Sequence, residues 1–404
     1  MFSLSALVSF TARTSPQCIS RDTESPMDPA DLIEMAEDGD PTAQFNLGVM
    51  YTEGIGVPKD AVRAVEWYRR AAEQGCGMAQ TNLAGMYENG QGVETDLAAA
   101  FEWTLKAAKQ GLAQAQHNLA SMYGRGQGVP KDEAIALKWI TKAAKQGHAD
   151  SQRILGELSP DPGLSLRWFL KAATQGHVEA QSQVGHMYET GMGTEVDGIL
   201  AEKWYTKAAL QGNADAQDQL ATLYLRGTSI PINAQKAVYW HLKAARQGVA
   251  RSRYHLGVLY TKGLGVERDP AQALHWYLQA AELEHSWAQY NLGVIHHQGD
   301  DVPKDLIKSF DWFMKSARNQ CPHGQHKLGV IYSEDEFFPK NLVEAFAWIS
   351  LAEQNHYEDD KRQESIKARE SLEKQLTPEQ LIEARARSEE LAVELALAPK
   401  ADES

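Results

Sequence analysis

Tryptophan recurs along this 404-residue chain at a nearly constant interval. Nine of the ten tryptophans follow one another at 36 residues, except that Trp139 and Trp168 are 29 residues apart. A fixed period of about 20–50 residues indicates a repeat protein in which each unit packs only on its neighbours. The spacing therefore predicts about nine units, and Trp287 lies outside the series. The periodic residues are Trp67, Trp103, Trp139, Trp168, Trp204, Trp240, Trp276, Trp312 and Trp348.

Each repeat has the pattern of two helices joined by a glycine-rich turn. In the first repeat, residues 40–75, Ala43 and Leu47 lie one helical turn apart and share a face. The segment GIGVPKD then interrupts the helical pattern. Asp60 is placed to cap a second helix, and Gly75 is placed to end that helix in the left-handed conformation.

The periodic tryptophans are open to two interpretations. A row of indole rings can stack ligands, but residues that recur in every unit serve what every unit needs, which is packing. A small residue follows each tryptophan by four positions, as Ala71 follows Trp67, and lets the helices approach closely. We therefore interpret the tryptophans as core residues, and replacing a buried one by alanine should cost about 3–5 kcal/mol.

The segments AQFNLGVMYTEGIGVPKD and AVEWYRRAAEQG carry a resemblance to a known family. They resemble the Sel-1-like repeat, within the tetratricopeptide-like superfamily, and the resemblance covers about residues 40–356. It implies an all-α fold, a right-handed α/α solenoid of about nine repeats with terminal capping helices. It also implies an adaptor that binds other proteins or peptides, and the fold by itself implies no chemistry.

Some repeats depart from the pattern. The fourth repeat, residues 148–176, loses seven residues of its turn, and Ser159 replaces its tyrosine. The sixth, eighth and ninth repeats have RGTSIPIN, DDVPKD and SEDEFFPKN in their turns. We expect these changes to alter the local geometry modestly and not to create a binding site.

Residues 1–26 precede the repeats and have three interpretations. The stretch MFSLSALVSF lacks the positive flank that a secretory signal needs. The absence of acidic residues up to Arg21 loosely fits a mitochondrial transit peptide. Alternatively the segment is disordered, or translation begins at Met27. Under each interpretation we expect residues 27–39 to form an N-terminal capping helix.

Residues 357–404 follow the last repeat and are charged and helix-favouring. Thr377 and Pro378, with Gln380 at the third helical position, form a typical helix start. We interpret this segment as C-terminal capping helices followed by a short tail. Partner binding by these helices is the alternative interpretation.

Charge and cysteine content restrict the partner and the compartment. The formal net charge of −14 disfavours a nucleic-acid backbone as principal partner. No apolar run approaches the roughly 18–20 residues that span a membrane. The three cysteines, Cys18, Cys76 and Cys321, are not paired within repeats as in disulfide-stapled secreted proteins. We expect a cytoplasmic protein, or a periplasmic or mitochondrial one if residues 1–26 are a targeting segment.

The chain carries no recognisable catalytic motif. HExxH, GxSxG and GxxxxGK are absent, and the recurrent GxG pairs follow no predicted strand. Ser371 begins an SxxK tetrapeptide, but SDN and KTG are missing. His323 and His326 share a helix face, where a metal is conceivable, although hydrogen-bonded or solvated histidines explain them better. We therefore predict no catalytic residue, metal or cofactor; a hydrolase-type enzyme or regulatory subunit and an end-to-end assembly element are the alternatives.

The first helices of a repeat solenoid usually line its concave surface, and their variable positions carry specificity. Trp287 has no packing role that the repeat dictates, and the pattern places it near Tyr254 and His326. Aromatic residues with polar tips are enriched at binding hot spots. We predict a protein- or peptide-binding groove over repeats seven to nine, in a monomer or weak oligomer; packing of Trp287 under a neighbouring turn is the alternative. The predicted groove residues are Tyr254, Trp287, Tyr290, His297, His323 and His326.

Overall fold

The computed structural model describes residues 29–334, 338–356 and 359–397. All regular secondary structure within these ranges is helical, and none of the helices is long and apolar enough to cross a bilayer. The chain forms two compact units, one ending at Asp197 and the other beginning at Gly198. The predicted leader, residues 1–26 with Cys18, and residues 398–404 of the predicted tail lie outside the described residues.

The first unit contains an N-terminal helix, four full repeats and the first helix of the fifth repeat. Each full repeat consists of two helices of similar length, except that α8 is shorter and three residues connect it to α9. The helices are α1 Pro29–Glu37, α2 Pro41–Glu53, α3 Ala61–Glu73, α4 Gly77–Asn89, α5 Leu97–Lys109, α6 Ala113–Arg125, α7 Glu133–Lys145, α8 Ala149–Leu158, α9 Pro162–Thr174 and α10 Val178–Thr190.

The second unit contains the later repeats and two helices after the last repeat. The helices are α11 Gly198–Leu210, α12 Ala214–Arg226, α13 Ala234–Arg246, α14 Ala250–Lys262, α15 Pro270–Ala281, α16 Ser286–Gln298, α17 Leu306–Arg318, α18 Pro322–Ser333, α19 Leu342–Asn355, α20 Asp359–Glu373 and α21 Pro378–Leu397. Within each unit consecutive helices up to α20 pack on each other along the chain, and α21 packs on α19. The all-α repeat fold is confirmed.

The helix ends discussed above lie at the residues that the sequence pattern predicted. The Asp60 side chain accepts a hydrogen bond from the Arg63 amide at the start of α3, and Gly75 after it has a φ of 91°. At the C-terminal end, the Thr377 amide donates to Gln380 Oε1 and the Gln380 amide donates to Thr377 Oγ1. This reciprocal capping box explains why α21 begins where the sequence predicts.

A glycine or alanine always follows the leucine of the first helix, and its size matches the ring that packs on it. A Cβ on Gly48 would lie 2.7 Å from the Tyr68 ring, so this position must stay small there. Gly257 and Gly293 meet rings of α15 and α17 in the same way. Alanine stands at this position in three repeats, whose second helices carry Thr104, Ile140 and His241 instead of tyrosine or phenylalanine. The ninth repeat keeps Gly329 opposite Ile349.

The structure corrects the expectation that every periodic tryptophan is a core residue. Only Trp204, Trp240 and Trp348 are buried, and the other six are half-buried. The fully buried ring is the next residue, as at Tyr68, which is 1% exposed. A cation one turn later covers most of the indoles, for example Lys106 at 3.8 Å from the Trp103 ring centre. The tryptophans therefore border the core more often than they fill it.

A relay of glutamines joins successive repeats, a feature that the sequence analysis missed. Gln44 Nε2 donates to the carbonyl of Ala36, and Gln74 Nε2 donates to Gln44 Oε1 and to the carbonyl of Gly39. The same bonds recur one repeat later with Gln80. Carbonyls in the last turn of a helix lack partners within that helix. The glutamines satisfy them, which explains the recurrent AQ and QG pairs.

Candidate functional site

Three predicted groove residues form one half-buried cluster, which we call the aromatic patch: Trp287 and Tyr290 on α16 and His323 on α18. The Trp287 and Tyr290 rings meet edge to face with centres 6.1 Å apart. The His323 ring lies 4.6 Å from Trp287 and 5.6 Å from Tyr290. Tyr290 also contacts the buried Phe313 behind it, so the patch rests on the core of the second unit.

Tyr254 and His297 occupy other surroundings. Tyr254, on α14, stacks on His285 with ring centres 4.7 Å apart and also contacts His255 and Tyr277. His297 is exposed in the last turn of α16, and no ring contact involves it among the described residues. The structure thus places Tyr254 with a histidine that the sequence analysis had not selected.

His326 is engaged by a C-terminal helix. Its Nδ1 lies 2.9 Å from the Ser365 hydroxyl of α20, and burial lowers its pKa. His356, just before α20, contacts the His323 ring at 4.9 Å. The C-terminal segment therefore covers part of the predicted groove at repeat nine, which leaves repeats seven and eight as its more accessible part.

A second group of side chains lies deeper in the second unit, and we call it the polar cluster: Asp218 on α12, His241 on α13, and Arg251 and Ser252 on α14. Asp218 is fully buried, and its Oδ2 accepts a 2.6 Å hydrogen bond from Arg251 Nε. The Ser252 hydroxyl donates to Asp218 Oδ1. His241 Nδ1 lies 3.2 Å from that same oxygen.

Electrostatics keeps the Asp218 carboxylate charged and lowers the pKa of the neighbouring His255. Burial alone would raise the pKa of Asp218, but the hydrogen bond and charge of His241 and the charge of Arg251 outweigh it, and the pKa lies far below its ordinary value. Burial, followed by the charge of His241, lowers the pKa of His255 to about 3. The ring of His255 stacks on His241 at 4.9 Å. Around neutral pH the cluster therefore pairs a carboxylate with a guanidinium beside neutral imidazole at His255.

Two members of the polar cluster replace residues that are apolar in most other repeats. His241 stands where the first repeat has Tyr68, and Ser252 stands where the second repeat has Ala79. Arg253 replaces the relay glutamine and donates to the carbonyl of Ala245. His241 Nε2 is buried without a hydrogen-bond partner in the structure. Burying charge and unpaired polar atoms is costly, so several such replacements in one place favour a functional role.

This replacement was visible in the sequence but was not recognised. The segment RSRYH, residues 251–255, stands where other repeats have a segment such as TAQFN, residues 42–46. The alanine, the glutamine and the asparagine of the pattern change together. A comparison of repeats position by position would have found it, whereas a search for known catalytic motifs could not.

Serine, histidine and aspartate meet in the polar cluster, but not in the order of a hydrolase triad. A triad needs the serine on one imidazole nitrogen and the carboxylate on the other. Here Ser252 Oγ and Asp218 both lie at Nδ1 of His241, at 3.1 and 3.2 Å. Ser252 is also fully buried, so no substrate reaches it. Within the described residues no group of His, Cys, Asp and Glu has the arrangement of a metal site.

The first unit holds a related group of histidines and polar side chains. His117 Nδ1 lies 2.9 Å from the Ser151 hydroxyl, and the His117 ring stacks on His148 at 4.6 Å. Burial, followed by the charge of His148, lowers the pKa of His117 to about 4. Gln114 Oε1 accepts from His148 Nε2 at 3.2 Å. Donors and acceptors alternate through this group.

Comparison with known proteins identifies the repeats. The chain matches the family model described as Sel1 repeat nine times, over residues 41–76, 77–112, 113–148, 154–177, 178–213, 214–249, 250–285, 288–321 and 322–356. None of the curated proteins matches the sequence.

The solved structures that are similar to this chain include the following two. One is described as a protective antigen present in uropathogenic Escherichia coli strains displaying an SLR fold, with a TM-score of 0.64 and 31% identity, covering 90% of this chain and 86% of that chain. The other is a Sel1 repeat protein from Oxalobacter formigenes, with a TM-score of 0.50 and 31% identity, covering 59% of this chain and 96% of that chain. Both similarities concern repeat proteins of one fold.

Proposed function

The chain belongs to the Sel1 repeat family, whose members are generally protein-interaction scaffolds and typically not catalysts, and we propose that it is a non-catalytic adaptor for a protein or an extended peptide. The binding face is formed by the first helices of repeats seven to nine, α14, α16 and α18. The aromatic patch is its centre.

One observation carries this proposal. Trp287 lies outside the periodic series, is half-buried, and contacts Tyr290 and His323 from two successive first helices. Half-buried tryptophan and tyrosine combine a large apolar area with a polar tip, as is common at interaction hot spots. Because Tyr290 rests on the buried Phe313, the patch is held in place before a partner arrives.

The test compares capture of partners by matched variants. Native lysate is passed over wild type, over Trp287→Ala/Tyr290→Ala, and over Met78→Ala/Thr81→Ala, which changes the same two positions of the second repeat. Each captured partner is then purified and its direct binding measured by calorimetry. We expect partners that bind wild type and the repeat-two variant but lose at least about tenfold in affinity for the patch variant, or about 1.4 kcal/mol.

Helical content and the melting temperature of the patch variant are the controls for folding. A partner that binds all three proteins equally would keep the adaptor function and move the site elsewhere. Failure of wild type to bind any purified partner would argue against the adaptor function itself.

A further inference from the structure

Histidines that cap first helices accept a backbone amide through Nδ1 in this chain. His148 Nδ1 accepts the Ser151 amide, and His177 Nδ1 accepts the Ala180 amide. A neutral ring that accepts through Nδ1 carries its proton on Nε2 and donates there. The acceptors are Gln114 Oε1, at 3.2 Å from His148, and Asp150 Oδ1, at 3.0 Å from His177. Both acceptors come from the same position of the preceding repeat.

His285 caps α16 in the same way but meets a different neighbour. Its Nδ1 accepts the Ala288 amide at 3.3 Å, so its proton is also on Nε2. The residue at the acceptor position of the preceding repeat is Arg251, whose guanidinium has only donors. Burial, followed by the Arg251 charge, lowers the pKa of His285 to about 4. Tyr254, one turn after Arg251 on α14, stacks on His285, so two donors lie along the contact between α14 and α16 where the other two repeats pair a donor with an acceptor.

The buried Asp218 carboxylate holds the Arg251 guanidinium in position. Asp218 Oδ2 interacts with Nε and Nη2, and Nη1 takes no part in that pair. The Asp218 side chain is 0% exposed, whereas the Arg251 side chain is 35% exposed. Tyr254 stacks on His285 and orients its ring. A buried carboxylate and an aromatic ring thus fix the two donors at the surface before any ligand binds.

We propose that Arg251 and His285 bind the side-chain carboxylate of an aspartate or glutamate in an extended peptide, whose next apolar side chain contacts the aromatic patch. This inference rests on the proposed adaptor function and specifies the chemistry of its ligand. A carboxylate offers two oxygens, which match Arg251 Nη1 and His285 Nε2. Trp287 follows His285 by only two residues, so the acidic and apolar contacts of the peptide are adjacent.

Charge favours a carboxylate over a phosphate. The Arg251 charge is already balanced by Asp218, and His285 is neutral, so a doubly charged group would be poorly compensated. The formal net charge of −14 also repels anions at long range. The carboxylate is therefore held by short-range donors, and its recognition depends on their geometry.

Binding of a carboxylate should be linked to pH through His285. The charged and titratable groups that face this ring are Arg251, Asp218, His255 and Tyr254. A bound carboxylate favours the protonated ring, although Nδ1 then gives up the bond from the Ala288 amide, and so raises the pKa of His285. The affinity for an acidic peptide should therefore increase between pH 7.5 and 5.5, since glutamate remains ionised in this range.

The first experiment selects peptides from a random displayed library on the full-length protein at pH 7. The proteins are wild type, His285→Asn, Asp218→Asn/Arg251→Gln and, as control, His177→Asn. Asparagine preserves the cap, because Asn213 caps α12 at the same position of its repeat. The double variant removes both members of the buried pair, so that neither charge is left unpaired.

Wild type and His177→Asn should enrich an acidic residue at a fixed short distance from an aromatic or aliphatic residue. His285→Asn and the double variant should lose the acidic preference. Peptides without an acidic residue, or an acidic preference that survives both variants, would overturn this inference and leave the adaptor function standing. Enrichment of no peptide on wild type would overturn both.

The second experiment measures the affinity of one selected peptide and of its Glu→Gln counterpart by calorimetry. Wild type should bind the glutamate peptide about 10–100-fold more tightly, since hydrogen bonds to charged groups contribute that much. The preference should grow toward pH 5.5 and disappear in His285→Asn. Equal affinities of the two peptides at both pH values would contradict carboxylate recognition.

Discussion

The two units place similar polar residues on the same repeat scaffold and use them differently. In the first unit, His148 Nε2 donates to Gln114. In the second unit, the corresponding position holds Arg251, which is paired with the buried Asp218. The first arrangement pairs its donor with an acceptor, whereas in the second no hydrogen bond from Arg251 Nη1 or His285 Nε2 is found among the described residues. A helical repeat thus becomes a candidate binding site through few substitutions.

The largest expected difference between the units concerns their aspartates. Asp218→Ala should lower the free energy of unfolding by about 3–5 kcal/mol, because Arg251, Ser252 and His241 lose a buried partner. Asp150→Ala should cost less than about 1 kcal/mol, because Asp150 is exposed in its pair with His177. Urea unfolding followed by circular dichroism measures both, and equal losses would contradict the contrast between the units.

Acid should destabilise the second unit more than the first. His255 and His285 have pKa values of about 3 and 4 in the folded protein, below the ordinary value of 6.5. Below pH 6.5 the unfolded chain binds protons that the folded protein excludes, so stability falls as pH falls toward those folded values. At pH 5 each histidine should cost about 2 kcal/mol. The first unit carries the same effect at His117, whose pKa is about 4.

Hydrogen exchange at pH 7 and pH 5, corrected for intrinsic rates, locates this effect. Protection should decrease more in α14 and α16 than in α6 and α8. A uniform decrease across both units would show that these buried histidines do not set the acid response.

Restoring apolar residues should stabilise the second unit. Asp218→Phe, His241→Ile, Arg251→Met and Ser252→Ala together replace both members of the ion pair, with isoleucine chosen because Ala221 leaves too little room for a larger ring. Each position then has an apolar residue that another repeat carries there, namely Phe45, Ile140, Met78 and Ala79. Replacing a buried ion pair by packed apolar residues is often neutral or stabilising by about 1–4 kcal/mol. The melting temperature should rise while binding of acidic peptides is lost. A large decrease would show that the polar cluster holds the fold together.

The smallest expected difference concerns the cations over the tryptophans. Lys106 lies 3.8 Å from the Trp103 ring centre in the first unit, and Lys315 lies 4.3 Å from that of Trp312 in the second. Lys106→Gln should cost about 0.5–1 kcal/mol, and Lys315→Gln slightly less, because this attraction weakens with distance. Thermal unfolding of the two variants measures the difference, and a larger loss for Lys315→Gln would reverse the ranking.

Much of the fold was predictable because its determinants repeat and act locally. The interval between tryptophans predicted the repeats, and Asp60 and Thr377 predicted helix starts through bonds to nearby amides. Residue 48 is a glycine because the Tyr68 ring packs directly on it. The relay from Gln74 to Gln44 joins residues 30 positions apart and was missed, since no local rule for helices reveals it.

The candidate site was predictable only in part. The off-series Trp287 pointed to α16, and the structure brings it together with Tyr290 and His323. The sequence analysis grouped Tyr254 with Trp287, but the structure pairs Tyr254 with His285. The order of residues along a helix does not state which rings of a neighbouring repeat lie within 5 Å.

The sequence by itself determined the number of repeats, the all-α fold and the principal helix caps, because hydrophobic periodicity and capping act within a few residues along the chain. Only the tertiary structure decided that Asp218, His241 and Arg251 meet, and that His285 lies beside a donor instead of an acceptor. These pairings join residues up to 34 positions apart across stacked helices. Their energies depend on burial, which exists only after the repeats have packed.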